Sequence, residues 1–212
     1  MLTKVVHVLG AGGHGRVVID ALQRLGYSAQ AIRVRDDRQE LHGTTMLGCL
    51  VEAPVLPVRP LEGWVHAAVG DANIRQYLLV QSGLPTEFWL TIIHPHACIA
   101  SSASLGVGTS VAAQSVIGPC ARLDTGVIIN HAAIVDHDCY VGAFSHIAPG
   151  ASLAGGVHVG EGVLIGAGAR ILPEVRIGDG AVIGAGAVVL SDIPAGQTWA
   201  GVPASMTNKK IK

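Results

Sequence analysis

The strongest regularity in the chain is a repeat of aliphatic residues through its second half. Ile93, Ile99, Leu105, Val111, Ile117, Leu123, Ile129, Val135, Val141, Ile147, Leu153, Val159, Ile165, Ile171, Ile177, Ile183 and Val189 follow one another at a spacing of six without a slip. The residue after each aliphatic is usually small or turn-prone, as at Gly106, Gly118, Asn130, Asp136, Gly142, Gly160, Gly166, Gly178 and Gly184. Four positions after it sits a second, mostly small residue, such as Ala103, Ser115, Ala133, Cys139, Ala169 or Ala187. A period of six drifts around a helix of 3.6 residues per turn, and glycine at this density is costly there. The pattern instead predicts one short strand and one turn per hexad. Three hexads close an 18-residue triangular coil with the large aliphatics inward, and coils stack at the ordinary strand spacing of about 4.8 Å. The 102 residues from Ile93 to Pro194 amount to between five and six coils. No insertion interrupts the repeat, so an active site here has to be made from coil surfaces.

The first half has a different rhythm. Val5 to Leu9 is a buried-strand run, followed by the loop Gly10-Ala11-Gly12-Gly13-His14-Gly15 and an amphipathic helix from Arg16 to Leu25 that stops at Gly26. A second strand, about Ala29 to Val34, ends at Asp36-Asp37. A third apolar run, His66 to Val69, ends at Gly70-Asp71, and Asn73 is placed to cap a helix reaching about Ser82. Strand, glycine loop, helix and strand make a βαβ unit, whose ligand is expected at the carboxyl ends of the strands. Pro54 to Pro60 reads as a surface loop. The expected division is a βαβ domain over 1–90 and a solenoid over 91–212, with the boundary near Ile93-His94-Pro95.

Composition narrows the function classes. Fourteen Lys and Arg stand against 15 Asp and Glu, a net charge of −1, and no basic stripe appears. That argues against a nucleic-acid partner, and the tail Lys209, Lys210, Lys212 reads as a solvated end. Apolar residues make up 50% of the chain, but none of their runs approaches the roughly 18 needed to span a membrane. Val5 to Leu9 is too short for a signal peptide and lacks a cleavage site. Cys49, Cys98, Cys120 and Cys139 show no C-x-x-C spacing, so neither a zinc site nor a disulfide framework is expected, and the compartment expected is the cytoplasm.

The candidate chemistry lies in two places. Gly10-x-Gly12-x-x-Gly15 has the spacing of a dinucleotide fingerprint, with Asp36 at about the right distance beyond it. Its glycines let backbone N–H groups approach a phosphate at a helix start. About 90 residues supply half of a full dinucleotide fold, which fits a mononucleotide or nucleotide sugar better than NAD. His14 either hydrogen-bonds such a ligand or points to water. In the solenoid, His137 stands out among His96, His131, His146 and His158 because it lies between Asp136 and Asp138. Neutral imidazole is the natural proton acceptor near neutral pH, and a carboxylate partner raises its basicity. One coil on from His137 lies Gly155, expected to leave open space and a free N–H suited to an oxyanion. His146 is nine residues beyond His137, half a coil. The two therefore project from different faces and can share a ligand only across a subunit boundary.

Taken together, Gly10 to Gly15, Asn130-His131, Asp136-His137-Asp138-Cys139, Ser145-His146-Ile147, the hexads and Gly201-Val202-Pro203-Ala204 resemble one family over essentially the whole chain. It is the sialic acid O-acetyltransferase and nucleotide-sugar N-acetyltransferase family, which includes the UDP-4-amino-sugar N-acetyltransferases of diacetylbacillosamine synthesis. The resemblance implies a Rossmann-like α/β half domain followed by a left-handed parallel β-helix, and a homotrimer with acetyl-CoA in the groove between solenoids. By the same resemblance His137 is the general base, Asp138 raises its basicity where the family often has Glu, and Asn130 helps position it. His146 contacts acetyl-CoA from the neighbouring subunit, Gly155 lies near the thioester oxygen, and Ala167 and Ala185 line the coenzyme groove. Gly12, Gly13 and His14 match the nucleotide-sugar loop, Asp36 and Asp37 the uracil or ribose end, and Gly70 the third strand end. The implied activity is acetyl transfer to the amino group of a nucleotide-linked 4-amino-6-deoxy sugar, UDP-linked by preference, for bacterial glycan biosynthesis, with no metal.

Three other readings stand beside it. The acceptor could be a hydroxyl of sialic acid or another glycan. The solenoid could be a scaffold or a γ-carbonic-anhydrase-like metal protein, although His131 and His137 fall on successive faces and a metal needs three converging ligands. The glycine loop could serve an NAD-dependent enzyme. Fold alone does not choose among them.

Overall fold

The computed structural model describes residues 4–56 and 62–208. The Lys209, Lys210 and Lys212 tail and most of the Pro54 to Pro60 run lie outside the described residues. The chain forms two units, Met1–Pro95 and His96–Lys212.

The first unit is a five-stranded sheet in the order β3-β4-β2-β1-β5. Its strands are β1 (Val6–Leu9), β2 (Ile32–Arg35), β3 (Thr45–Met46), β4 (Cys49–Glu52) and β5 (Trp64–Ala67). β1 pairs in parallel with β2 on one side and β5 on the other. The chain therefore reverses its direction of travel at β1, and the crevice beyond the carboxyl end of that strand is where such sheets bind ligands. Helix α1 (Gly13–Arg24) buries Gly15, Val18, Ile19, Ala21 and Leu22, the stripe that a 3.6-residue turn brings to one face. It begins earlier than the sequence pattern suggested, inside the glycine loop itself, with Gly12 as its N-cap. Helix α2 (Ala72–Gln81) is capped by Asp71, whose side chain accepts from the Ile74 N–H. The cap is therefore Asp71, and Asn73 sits within the first turn. The β3–β4 hairpin has no Asn-Gly or Asp-Gly signature: Leu47 and Gly48 turn it at φ 49 and 80, both positive as a two-residue hairpin turn requires.

The second unit is a parallel β-helix. The six-residue rhythm places two-residue strands on three sheets, each strand paired with the one 18 residues on, as Val116 with Ile134. The first sheet runs Cys98–Ile99, Val116–Ile117, Ile134–Val135, Ser152–Leu153, Arg170–Ile171 and Val188–Val189. The second runs Ser104–Leu105, Arg122–Leu123, Tyr140–Val141, His158–Val159 and Arg176–Ile177. The third includes Ser110–Val111, Ile128–Ile129, His146–Ile147, Leu164–Ile165, Val182–Ile183 and Thr198–Ala200, and ends in the antiparallel Ser205–Met206. From Val111 onward the repeat aliphatics stack inside, as at Ile117, Val135, Leu153, Ile171 and Val189, all at most 2% exposed; Ile93, expected inward, is 37% exposed, and Ile99 and Leu105 are half-buried. The small residue four places on is also buried, at Ala121, Ala133, Cys139, Ala151, Ala169 and Ala187, where the narrow corners admit little more.

Each corner carries one further regularity that the hydrophobic pattern does not announce. Every sixth residue from Gly108 to Gly186 is left-handed, with φ between 52 and 71. Six of these positions are not glycine: Gln114, Cys120, Ala132, Asp138, Phe144 and Glu174. L-residues adopt this region at a cost, Asp and Asn least reluctantly. Among the described residues no helix is long and apolar enough to cross a membrane.

Candidate active site

His137 and Asp138 sit on the corner between the first and second sheets, directly after the strand Ile134–Val135. The strand aims the corner outward; one flanking carboxylate then holds the His137 backbone and the other its imidazole. Asp136 Oδ1 accepts the His137 backbone N–H at 2.7 Å. Asp138 Oδ2 lies 2.8 Å from His137 Nδ1. A carboxylate can only accept, so Nδ1 carries the proton and the lone pair is left on Nε2. The Asp138 hydrogen bond, and after it the negative charge of Asp136, raise the His137 pKa above the ordinary imidazole value. The left-handed backbone at Asp138, φ 58, belongs to this arrangement.

Two glycines shape the space around the histidine. A Cβ at Gly118, one coil before Asp136, would stand 2.6 Å from the His137 backbone nitrogen. A Cβ at Gly155, one coil after His137, would stand 2.5 Å from its Cε1 and Nε2. The room that Gly155 leaves is thus taken up by the imidazole itself, which lies against the glycine with Nε2 beside it. His137, Asp138, Gly155, Gly156, Pro173 and Glu174 line a recess of about 290 Å³. Pro173 and Glu174 were not among the residues expected, although 155 + 18 and 156 + 18 lead straight to them. Cys139, next in sequence, is not a second nucleophile: burial pushes its thiol pKa up, and Sγ donates to the Ala154 carbonyl at 3.1 Å.

The other solenoid candidates lie elsewhere. Asn130, Ala167 and Ala185 are on the corner between the third and first sheets, and His146 is on the third sheet just before it. Asn130 was expected to help position His137, but within the chain it does not reach that corner. Its Nδ2 lies 3.2 Å from His146 Nε2, and its Oδ1 accepts the His131 N–H at 2.9 Å. The amide therefore donates to His146, which leaves the imidazole proton on Nδ1. Ala167 and Ala185 are exposed and stacked one coil apart. The two clusters occupy opposite edges of the first sheet, as the half-coil separation of His137 and His146 required.

In the first unit the glycine loop divides by role. Gly10 has φ 118 and packs on Val69, and a side chain on Gly15 would strike the Gly10 carbonyl. These two are required by the fold. Gly12 and Gly13 are exposed, and a Cβ on either would meet nothing within 4 Å. Packing does not demand glycine there, whereas a ligand approaching the backbone would. The first turn of α1 holds no acidic residue, and unlike α2 the helix has no side-chain cap. His14 is half-buried at the same place, and Gly70 is exposed at the end of β5. Buried Arg75 secures that end by donating to the Val69 and Gly70 carbonyls at 2.8 and 2.9 Å. Asp36 and Asp37, expected to face the nucleotide, are both engaged within the protein. Asp36 binds Ala11 and Arg38, and Asp37 Oδ1 accepts the Val55 N–H at 3.1 Å. Among the described residues no group of three His, Cys, Asp or Glu could hold a metal ion.

The chain thus carries an α/β unit with an open glycine loop and, after it in sequence, a parallel β-helix with a carboxylate-backed histidine on one corner. Comparison with known proteins supplies the class. Residues 5–81 match the PglD N-terminal domain and residues 156–191 the bacterial transferase hexapeptide (six repeats). The chain is 32% identical over 163 residues to GDP-perosamine N-acetyltransferase of Escherichia coli O157:H7, covering 70% of this chain and 69% of that one. It is 33% identical over 112 residues to UDP-N-acetylbacillosamine N-acetyltransferase of Bacillus subtilis (strain 168); the match spans 52% of each, about half the length of that relative. The acetyltransferase domain of PglB from Neisseria gonorrhoeae FA1090, in complex with acetyl coenzyme A, superimposes with a TM-score of 0.87 at 37% identity, over 96% of this chain and 99% of that one. The chain belongs to the family of hexapeptide-repeat nucleotide-sugar N-acetyltransferases. Relatives named for N-acetylation do not favour the hydroxyl-acceptor alternative.

Proposed function

We propose that the protein transfers the acetyl group of acetyl-CoA to the amino group of a nucleotide-linked 4-amino-6-deoxy sugar, UDP-linked by preference. The observation that carries this reading is the His137 imidazole, whose Nδ1 is fixed by Asp138 and whose Nε2 lone pair is left at the recess. As the sugar amine forms its bond to the thioester carbon, its nitrogen becomes acidic and His137 Nε2 removes the proton. Asp138 stabilises the imidazolium so formed. No bond among the described residues uses the Gly155 N–H, which suits it to the negative oxygen of the tetrahedral intermediate. Collapse of that intermediate breaks the C–S bond and releases CoA as thiolate. Gly12, Gly13, His14 and Gly70 surround the place proposed for the nucleotide.

We further infer a homotrimer with active sites shared between chains. Asn130, His146, Ala167 and Ala185 lie on the opposite edge of the first sheet from His137. A contact that joins one edge to the other edge of the next copy is heterologous, the kind that forms a ring when its rotation closes. Exposed aliphatics on that sheet support it: Val116 and Ile134 are 38% and 40% exposed. In such a trimer the neighbour's His146, held by Asn130, would contact the acetyl-CoA, and Ala167 and Ala185 would line the coenzyme groove. We place the enzyme in the cytoplasm, in bacterial glycan biosynthesis. All four cysteines are free thiols, which agrees with that compartment.

The test is thiol release from acetyl-CoA with UDP-, dTDP- and GDP-linked 4-amino-6-deoxy sugars and with sialic acid. Turnover with one amino sugar is expected, falling at least about 100-fold in His137→Ala, the usual scale for a general base. An unchanged rate in that variant would remove the mechanism and leave the fold.

A further inference from the structure

Asp36 lies at the carboxyl end of β2, where a carboxylate that reads the nucleotide was expected. The structure gives it other work. Oδ2 accepts the Ala11 N–H at 2.8 Å and Arg38 Nη2 at 3.1 Å. Oδ1 accepts the Arg38 backbone N–H at 3.1 Å and Arg38 Nε at 2.8 Å. Arg38 Nη2 also donates to the Ala11 carbonyl at 3.1 Å. A carboxylate, a guanidinium and both polar groups of one glycine-loop residue therefore form a closed ring. Asp36 is held down at about pKa 2, chiefly by the Arg38 hydrogen bonds, so the ring stays ionised throughout the neutral range.

The ring leaves one edge over. A guanidinium has five N–H groups; among the described residues Nε–H and both hydrogens of Nη2 find acceptors, and the two on Nη1 do not. The Arg38 side chain is 51% exposed against 14% for Asp36. Its charged head is therefore pinned on one side and open on the other, next to the exposed Gly12 and Gly13. Guanidinium edges match the charged oxygens of phosphates better than any neutral acceptor.

We propose that Arg38, not Asp36, is the side chain that grips the nucleotide of the acceptor substrate, through its diphosphate, and that Asp36 acts as a positioning residue for Arg38 and the glycine loop. This rests on the reading that the nucleotide sits at that loop. It assigns diphosphate binding to Arg38, so the grip is the same whichever base follows.

Calorimetric titration with UDP and with GDP tests it, alongside kinetics with the acceptor sugar. Arg38→Ala should weaken UDP and GDP by the same factor, about 10- to 100-fold, as loss of a charge-assisted hydrogen bond implies. The KM for the nucleotide sugar should rise likewise, with kcat and the KM for acetyl-CoA unchanged. Arg38→Lys should not rescue, because an ammonium cannot hold both Asp36 and a phosphate in one plane. Asp36→Asn should weaken the nucleoside diphosphates too, and the double variant should be no worse than Arg38→Ala, the mark of residues acting as a unit. Undiminished binding in Arg38→Ala, loss confined to one base, or additive losses in the double variant would each overturn the proposal. A wild-type protein that binds neither UDP nor GDP would instead overturn the nucleotide-loop reading beneath it.

Discussion

The two units hold their chemistry in place by opposite means. In the solenoid, His137, Asp138 and Gly155 owe their meeting to a repeat in which each strand is paired 18 residues on. A residue on one corner is followed by another directly above it, and the geometry propagates from coil to coil. In the α/β unit, the glycine loop is held by long-range ties that obey no period. Ala11 is tied to Asp36 across 25 residues, and Gly10 packs on Val69. The lesson is that a repetitive frame makes its active corner readable from spacing, whereas the loop's ligand edge depends on which side chains the fold has already consumed.

The difference can be broken first at the frame. Ile147 is fully buried in the central coils, and Ile147→Ala should cost about 3 kcal/mol or more in denaturant unfolding, within the usual range for a buried aliphatic. A loss under 1 kcal/mol would show that the coils do not depend on one another as stacking implies. Next comes the corner. Gly155→Ala puts a methyl where the imidazole ring now lies, so kcat/KM should fall roughly 100-fold, the scale of a misplaced general base, while the unfolding midpoint stays near wild type. Full activity in this variant would mean that His137 does not need its present position.

A finer test separates the base from its partner. His137 has to be neutral to accept a proton, and its pKa is raised, so activity is lost as pH falls through that raised value. Asp138→Asn removes the larger cause of the shift. The acid limb of the pH–rate profile should then move to lower pH while the plateau drops about 10-fold, about 1.4 kcal/mol in barrier height. An acid limb that stays in place would assign it to another group. The smallest effect belongs to the α/β unit: Asp71→Ala removes the cap of α2 and should cost about 1 kcal/mol with kcat unchanged, as measured by thermal unfolding and thiol release.

The hexads predicted the triangular coil, its inward aliphatics and its small corner residues because a two-residue strand and its turn are decided within six positions. The same local logic placed Gly155 against His137. It missed the left-handed position in every corner, since Gln114, Cys120, Ala132, Phe144 and Glu174 are not residues that announce positive φ. It also assigned the α2 cap to Asn73 instead of Asp71, two residues away, and passed over the Leu47-Gly48 hairpin, whose turn has a leucine where asparagine or aspartate is usual. Asn130 illustrates another limit: its neighbour on the corner was evident, but its partner His146, sixteen residues on, was set by how the third sheet delivers that histidine.

From the amino-acid order alone came the period, the number of coils, the βαβ start and the histidine between two acids, because each depends on contacts between residues near in sequence or at a constant step. The tertiary structure alone decided which polar groups remain available once the fold has formed. Asp36 was expected at the nucleotide; in the folded chain Ala11 and Arg38 take both its oxygens, and Arg38, unremarkable in the sequence, carries the edge left over. Hydrogen-bonding capacity is finite, and only the folded chain shows how much of it is left for a substrate.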